Sequence, residues 1–211
     1  MSDPQNPVAE PAYKDRTFRS PAGIAGGVLL LALGAWLGID AVVRGEGRTP
    51  WLALAGLLFA VPLVLAFTVR PVVYANDDRL RVRNPFRTIT LPWASVASLR
   101  SGYSNEVLTA AGAKYQLWAI PVSLRGRKRA ARRQSQAAAS GDPTVGGRPF
   151  LDPTVRTRSS GDQSMDELRE LAESRSEEPS AQGEPLVRWA YEIVVPCLAG
   201  ALLLAVLLAV T

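Results

Sequence analysis

The densest group of side chains able to bind a ligand is a basic run near the middle of the chain. Six positive charges fall within nine residues: Arg125, Arg127, Lys128, Arg129, Arg132 and Arg133. Beside an anionic membrane leaflet, each such charge contributes roughly 1 kcal/mol of attraction. We therefore predict that this basic run contacts lipids of the anionic inner leaflet, although a topology signal on a solvated face gives the same pattern. No nucleic-acid partner is expected, since few aromatic side chains accompany the charges.

The side chains that most often carry out catalysis are scarce. The chain has no histidine and a single cysteine, Cys197, which lies in an apolar segment. Histidine is the commonest general base and metal ligand, and no P-loop, GxGxxG, GxSxG or HExxH motif occurs. The adjacent acids Asp77 and Asp78 follow Asn76 in a pattern typical of a turn. We expect no enzymatic activity, no catalytic residue, no bound metal and no cofactor.

Three long apolar segments predict an integral membrane protein. Residues 22–43 contain one acid, Asp40, and residues 51–69 contain no charge. The third segment, 189–210, opens with Trp189 and is uncharged from residue 193 onward. A helix of about 20 apolar residues crosses the bilayer core. We predict three transmembrane α-helices, called span 1, span 2 and span 3 in chain order.

The distribution of charge predicts the orientation of these spans. Residues 70–133 contain 13 basic and 3 acidic residues, whereas the loop between span 1 and span 2 contains only two basic residues. Positive residues that flank spans remain on the cytoplasmic side. We expect a multi-pass protein of the cell membrane, with the N-terminus and the central domain in the cytoplasm and the C-terminus outside.

Span 1 carries glycines at a spacing that predicts a helix-packing face. Gly23, Gly27, Gly34 and Gly38 fall on roughly one side of a helix. Small residues allow another helix to approach closely. The neighbour could be a span of the same chain, a second copy or another membrane protein, and chance in a glycine-rich span is the alternative explanation.

The central segment, 70–139, predicts a small β domain followed by a basic helix. Apolar and polar residues alternate at Leu80 and Val82 and again over Thr88–Leu91, with turn residues between them. Such tightly spaced strands indicate an antiparallel β half-barrel. Trp93 is expected at the barrel edge, and the alternation predicts these core residues: Leu80, Val82, Ile89, Leu91, Val96, Leu117 and Trp118.

The remaining segments are polar. Residues 1–20 and 140–163 are predicted to be a disordered leader and a disordered linker. Residues 164–178 predict a short amphipathic helix opened by a capping box at Ser164, and 179–188 a further linker. Whether this helix completes the domain stays open at the sequence level.

The stretch LRVRNPFRTITLPWASVASLRSG, residues 80–102, resembles the bacterial PH-domain family typified by the mycobacterial low-molecular-weight protein antigen 6. The shared features are a strand, an Asn-Pro turn with basic residues, a second strand and a Pro-Trp pair. The resemblance covers roughly residues 70–123 and implies a small actinobacterial membrane protein with a pleckstrin-homology-like half-barrel capped by a helix. It implies no catalytic residue, and such a fold suggests binding without naming a ligand.

Two functions are therefore expected from the sequence. The first is a membrane-anchored PH-like binding or scaffold module on the cytoplasmic face, with an unknown ligand or partner. The alternative is an accessory subunit or a small transporter-like protein built on the three spans. Asp40 is the only acid deep in a predicted span, but it stands four residues before Arg44, which predicts an ion pair instead of a transport role.

Overall fold

The computed structural model describes residues 15–122 and 160–210. Three helices in this part are long and apolar enough to cross a membrane, which confirms the predicted helices. Span 1 is α1 (Pro21–Arg44), span 2 is α2 (Thr49–Val64) continued by a π-helical turn (Leu65–Val69), and span 3, here named α4, is Tyr191–Ala209. Span 2 packs against both of the others.

The β domain consists of two antiparallel sheets. The strands of the first sheet are β1 (Arg16–Phe18), β2 (Val72–Ala75), β3 (Arg79–Arg83), β4 (Arg87–Pro92) and β8 (Leu186–Trp189). Those of the second are β5 (Val96–Ser101), β6 (Asn105–Thr109) and β7 (Lys114–Gln116). The five-stranded sheet has the order β1-β2-β3-β4-β8, and the three-stranded sheet has the order β5-β6-β7.

Alternation along the strands separates an apolar core from a polar face. Leu80 and Val82 on β3 are fully buried, whereas the arginines between and beside them point to the opposite face of the sheet. A helix, α3 (Ser160–Arg175), packs on β5 and places Met165 and Leu168 in the same core. The helix therefore completes the domain, and the predicted PH-like half-barrel with a C-terminal helix is confirmed.

Most of the predicted core residues are buried, but the two tryptophans were assigned wrongly. Trp93, expected at the barrel edge, has no exposed surface, and its Nε1 donates to the carbonyl oxygen of Asn76 at 2.8 Å. Trp118, expected in the core, is 45% exposed and makes an edge contact with Phe67 in the π-helical turn of span 2. Val96 is only partly buried against the core.

The described parts of the segments predicted to be leader and linkers contain regular structure, whereas residues 1–14, the basic helix predicted up to residue 139 and the linker residues 140–159 lie outside the described residues. Residues of the leader form β1, and residues of the linker 179–188 form β8. Neither segment is apolar and alternating enough to predict a strand alone; each is ordered by pairing with an edge of the central sheet. The helix predicted over 164–178 is already present at Ser160, the first described residue of this part, and it ends at Arg175, so Ser164 lies inside it and is not its N-cap.

The spans join the five-stranded sheet through very short connections. Two residues separate β1 from span 1, two separate span 2 from β2, and one separates β8 from span 3. Both edge strands of this sheet therefore lead directly into spans. One end of each span lies beside the sheet, so the domain sits against the span bundle at a single end.

Candidate functional site

A concave groove lies on the polar face of the five-stranded sheet, beside the spans. Its volume is about 670 Å³. Five arginine side chains line this arginine groove: Arg70, Arg79, Arg81, Arg83 and Arg188. The hydroxyl groups of Tyr74, Thr88 and Thr90 and the side chain of Trp189 complete most of the lining.

The strand register sorts these side chains into rows at increasing distance from the spans. The first row contains Arg83 on β3, Thr88 opposite it on β4, and Arg188 opposite Thr88 on β8. This row is nearest the spans because β2 starts opposite Arg83 immediately after span 2. We call it the membrane row.

The second row, which we call the outer row, stands one strand repeat farther from the spans. It contains Tyr74, Arg81 and Thr90, paired in that order across β2, β3 and β4. Arg79 follows at the far end of β3, opposite Pro92. Residues two apart on a strand point to the same face about 7 Å apart, so β3 carries its three arginines as a ladder leading away from the spans.

Most of the charge in this groove has no counter-charge within it. Among residues 15–122 and 160–210, no carboxylate lies within ion-pair distance of Arg79, Arg81, Arg83 or Arg188. Like charges on one concave surface repel each other and raise the local concentration of anions. Guanidinium groups also present paired donors that match phosphate and carboxylate oxygens. The chemistry of this arrangement is therefore suited to binding an anion.

Arg70 differs from the other four arginines because its hydrogen bonds are already made. It is the first residue after span 2, and its side chain is only 10% exposed. Its donors reach the carbonyl oxygen of Asn84 at 3.2 Å, the hydroxyl of Thr88 at 3.4 Å and the carboxylate of Glu192 at 2.7 Å. Arg70 thus connects the sheet residues Asn84 and Thr88 to Glu192 of span 3. Because Thr88 accepts from Arg70, its own hydroxyl hydrogen can still be donated to a ligand.

The Tyr74 hydroxyl reports the positive field of the groove. Partial burial acts to raise its pKa, but hydrogen bonds and charges from Arg19 and Arg83 outweigh this effect, and the pKa is lowered from its usual value. Arg19 Nη2 lies 3.5 Å from the hydroxyl oxygen. Arg19 also borders a smaller cavity with Arg70 and Arg83, so positive charge continues from the groove to the start of span 1.

The basic run predicted as a lipid-facing patch lies outside the described residues. This holds for Arg125, Arg127, Lys128, Arg129, Arg132 and Arg133. Its contact with lipid stays a prediction, separate from the arginine groove.

The glycines of span 1 occupy three different environments. Gly27 and Gly38 are buried, and a Cβ atom at either position would collide with Thr68 or Leu57 of span 2. Gly23 lies near the side chain of Ser20, at the start of its own helix, whereas Gly34 has no neighbour within 4 Å in the described structure. Span 3 contributes a close approach that the sequence reasoning missed, since a Cβ at Gly200 would collide with the backbone of Phe59.

The acidic residues considered at the sequence level lie in an ion pair and in a turn. Asp40 pairs with Arg44 at 3.2 Å, which confirms the predicted ion pair. Asn76 Oδ1 accepts hydrogen bonds from the backbone N–H groups of Asp78 and Arg79, as the predicted turn requires. Across 15–122 and 160–210, no three His, Cys, Asp or Glu side chains are placed to hold a metal ion.

The arginine groove itself was not predicted. The alternation at Arg79, Arg81 and Arg83 indicates a strand face that is exposed to solvent. Nothing in the sequence shows that β8 brings Arg188 beside these arginines. The available signal was the density of arginine on one strand face, with threonines at the matching positions of the next strand.

Comparisons with known proteins address the domain and not its ligand. No curated protein and no solved structure matches this chain. A family model described as Bacterial PH domain matches residues 70–143, a range that contains strands β2 to β7. The resemblance seen in residues 80–102 is thereby confirmed, and residues 70–143 are similar to a bacterial PH domain.

Proposed function

We propose that this protein is a membrane-anchored PH-like binding module, without catalytic activity, that binds anionic groups at the cytoplasmic surface of the cell membrane. The site is the arginine groove. The observation that carries the proposal is the set of Arg79, Arg81, Arg83 and Arg188 on one concave face. Among the described residues no carboxylate lies within ion-pair distance of these four, because the carboxylate in the lining, Glu192, is paired with Arg70.

The position of the groove supports a membrane-bound ligand. Arg70 and Glu192 belong to its lining and stand at the ends of span 2 and span 3, and Trp189, also in the lining, is the last residue of β8, two positions before span 3. An indole at a helix end is typical of the membrane–water interface. The anionic inner leaflet therefore supplies negative headgroups at the open edge of the groove.

The cytoplasmic assignment is supported by charge and by connectivity. The N-terminal end of span 1, the C-terminal end of span 2 and the N-terminal end of span 3 all join the same sheet. That end of the bundle carries the excess of basic residues, as cytoplasmic ends do.

Labelling of intact cells tests this orientation. With Cys197 replaced by Ala, a membrane-impermeant thiol reagent should label Glu46→Cys, in the loop between span 1 and span 2. It should not label Tyr103→Cys, whose position is 99% exposed on the domain. Labelling of Tyr103→Cys in intact cells would place the domain outside and would contradict the proposal.

Lipid retention by the purified full-length protein tests the binding site. Native mass spectrometry from neutral detergent should show stronger retention of phosphatidylglycerol than of phosphatidylcholine. The variant Arg81→Gln/Arg83→Gln/Arg188→Gln should lose this preference. The control Arg16→Gln/Arg87→Gln/Arg100→Gln removes the same charge outside the groove and should retain it. Equal retention of both lipids by the wild-type protein would overturn the proposal without reference to any variant.

A further inference from the structure

The arginine groove is larger and taller than a single phosphate group requires. Its volume of about 670 Å³ falls in the range of sites that enclose whole small molecules, between roughly 300 and 1,000 Å³. Its donors extend along β3 from Arg83, beside the spans, to Arg79, at the far end of the strand. Four residues of β-strand cover about 13 Å, so one phosphate cannot reach both ends.

Each row of the groove has its own guanidinium groups, and Arg83 of the membrane row also reaches the Tyr74 hydroxyl of the outer row. The membrane row provides the guanidinium groups of Arg83 and Arg188, with the Thr88 hydroxyl between them. The outer row provides one guanidinium group, from Arg81, between the hydroxyls of Tyr74 and Thr90. Arginine and hydroxyl donors together are a common environment for phosphate oxygens.

The surroundings of the two rows also differ. The membrane row lies beside Trp189 and the start of span 3, where the phosphate of a bilayer lipid is found. The outer row, which pairs with Leu186 of β8, stands farther into the aqueous side. A ligand that uses both rows must extend away from the bilayer, and not only along its surface.

We propose that the ligand is a membrane lipid whose headgroup carries a second phosphate beyond the first. The inner phosphodiester binds at Arg83 and Arg188, and the outer phosphate binds at Arg81, with Arg79 beside it. This inference rests on the proposed function, because it names the ligand of the same groove. The chemistry that is recognised is a pair of phosphates, and we take a lipid as its source because Arg70 and Glu192 of the lining stand at the ends of span 2 and span 3.

Four lipids and one soluble anion separate the alternatives in the same retention experiment. Phosphatidylcholine is neutral, and phosphatidylglycerol has one phosphate available. Cardiolipin has two phosphates at the same depth, and phosphatidylglycerol phosphate has a phosphodiester followed by a terminal phosphate. Pyrophosphate supplies paired phosphates without a lipid. We expect phosphatidylglycerol phosphate to bind at least about tenfold more tightly than phosphatidylglycerol, the effect of one additional charged hydrogen bond.

Two pairs of substitutions assign the phosphates to their rows. Arg79→Gln/Arg81→Gln should reduce the affinity for phosphatidylglycerol phosphate to that for phosphatidylglycerol, which should itself stay unchanged. Arg83→Gln/Arg188→Gln should weaken both lipids. The control Arg16→Gln/Arg100→Gln removes two charges outside the groove and should preserve the tenfold preference.

The outcomes for the inference and for the proposed function are distinct. Equal affinity for phosphatidylglycerol and phosphatidylglycerol phosphate, or cardiolipin binding as tightly as the latter, would overturn the extended headgroup and leave anionic binding intact. Displacement of lipid by pyrophosphate at equally low concentration would assign the groove to a soluble anion. Equal binding of phosphatidylcholine and all anionic lipids would overturn both. The lipid comparison uses wild-type protein, so misfolding of a variant cannot obscure it.

Discussion

The guanidinium group of Arg70 lies 2.7 Å from the carboxylate of Glu192, measured from Nη1 to Oε1, and joins the end of span 2 to the start of span 3. The two residues are far apart in sequence, yet both border the arginine groove. The same arginine also bonds to Asn84 and Thr88 in the sheet. A single side chain therefore connects two spans to the domain that they carry.

Removal of Arg70 should destabilise this junction. Arg70→Ala leaves a buried carbonyl oxygen and a carboxylate without their donor, which costs about 1–3 kcal/mol. Glu192→Gln should cost less than about 1 kcal/mol, since Glu192 is 60% exposed. Thermal unfolding of the full-length protein in neutral detergent measures the loss of stability in both variants. Arg44→Gln, which breaks the exposed Asp40 pair, is the control; equal effects of Arg70→Ala and Arg44→Gln would contradict the assigned role.

The two tryptophans should respond very differently to truncation. Trp93 is fully buried in the core, so Trp93→Ala should cost about 3–5 kcal/mol. Trp118 is 45% exposed and contacts Phe67 at its edge, so Trp118→Ala should cost about 0.5–1.5 kcal/mol. Leu80→Ala, at a fully buried position of the same core, should cost about 2–5 kcal/mol. Chemical unfolding followed by tryptophan fluorescence and circular dichroism checks the order, and a larger effect at Trp118 would refute the core described here.

Packing of the spans predicts a contrast between glycines. Gly200→Ala places a methyl group against the backbone of Phe59, which should cost about 1–3 kcal/mol by overpacking. Gly27→Ala meets Thr68, whose Oγ1 is held by the carbonyl oxygen of Val64 at 2.6 Å, and should also destabilise. Gly34→Ala has open space and should be neutral or slightly stabilising. Thermal melts in detergent that rank Gly34→Ala as the most damaging change would be incompatible with this arrangement of the spans.

Titration of the Tyr74 hydroxyl should reveal the effect of the neighbouring arginines on its pKa. Its pKa is lowered in the folded protein, so folding favours the deprotonated hydroxyl. The resulting stabilisation is present above the unfolded pKa, near 10, and is lost as the pH falls through the lower folded pKa. NMR of ¹³Cζ-labelled tyrosine, assigned with Tyr74→Phe, measures the folded pKa. Arg19→Gln should raise it towards the usual value and Arg16→Gln should not; no response to Arg19→Gln would remove Arg19 from the site.

Local patterns in the sequence predicted the spans and the central strands. Length and apolar composition are sufficient for a membrane-spanning helix, and the period of two at Leu80 and Val82 defines both the strand and its buried face. The assignment of Trp118 to the core failed because burial still alternates after β7 ends at Gln116: Leu117 and Ala119 are buried, so Trp118 between them faces outward.

Long-range pairing explains what the sequence did not reveal. Strands β1 and β8 are exposed or half-buried at every position, and they form because the central sheet has edges that need partners. Arg188 enters the groove only through this pairing, so the site depends on contacts between segments about 100 residues apart. Composition identified the basic character of the domain but could not place four arginines on one concave face.

The most direct measurement is the proximity of lipid phosphorus to the groove. Full-length protein with ¹⁵N-labelled arginine, in bilayers containing phosphatidylglycerol, should give ³¹P–¹⁵N dipolar contacts in solid-state NMR at hydrogen-bonding range. The signal should persist in Arg16→Gln/Arg87→Gln/Arg100→Gln and fall sharply in Arg81→Gln/Arg83→Gln/Arg188→Gln. An identical signal in all three proteins would show that lipid phosphate does not occupy the arginine groove and would contradict the account.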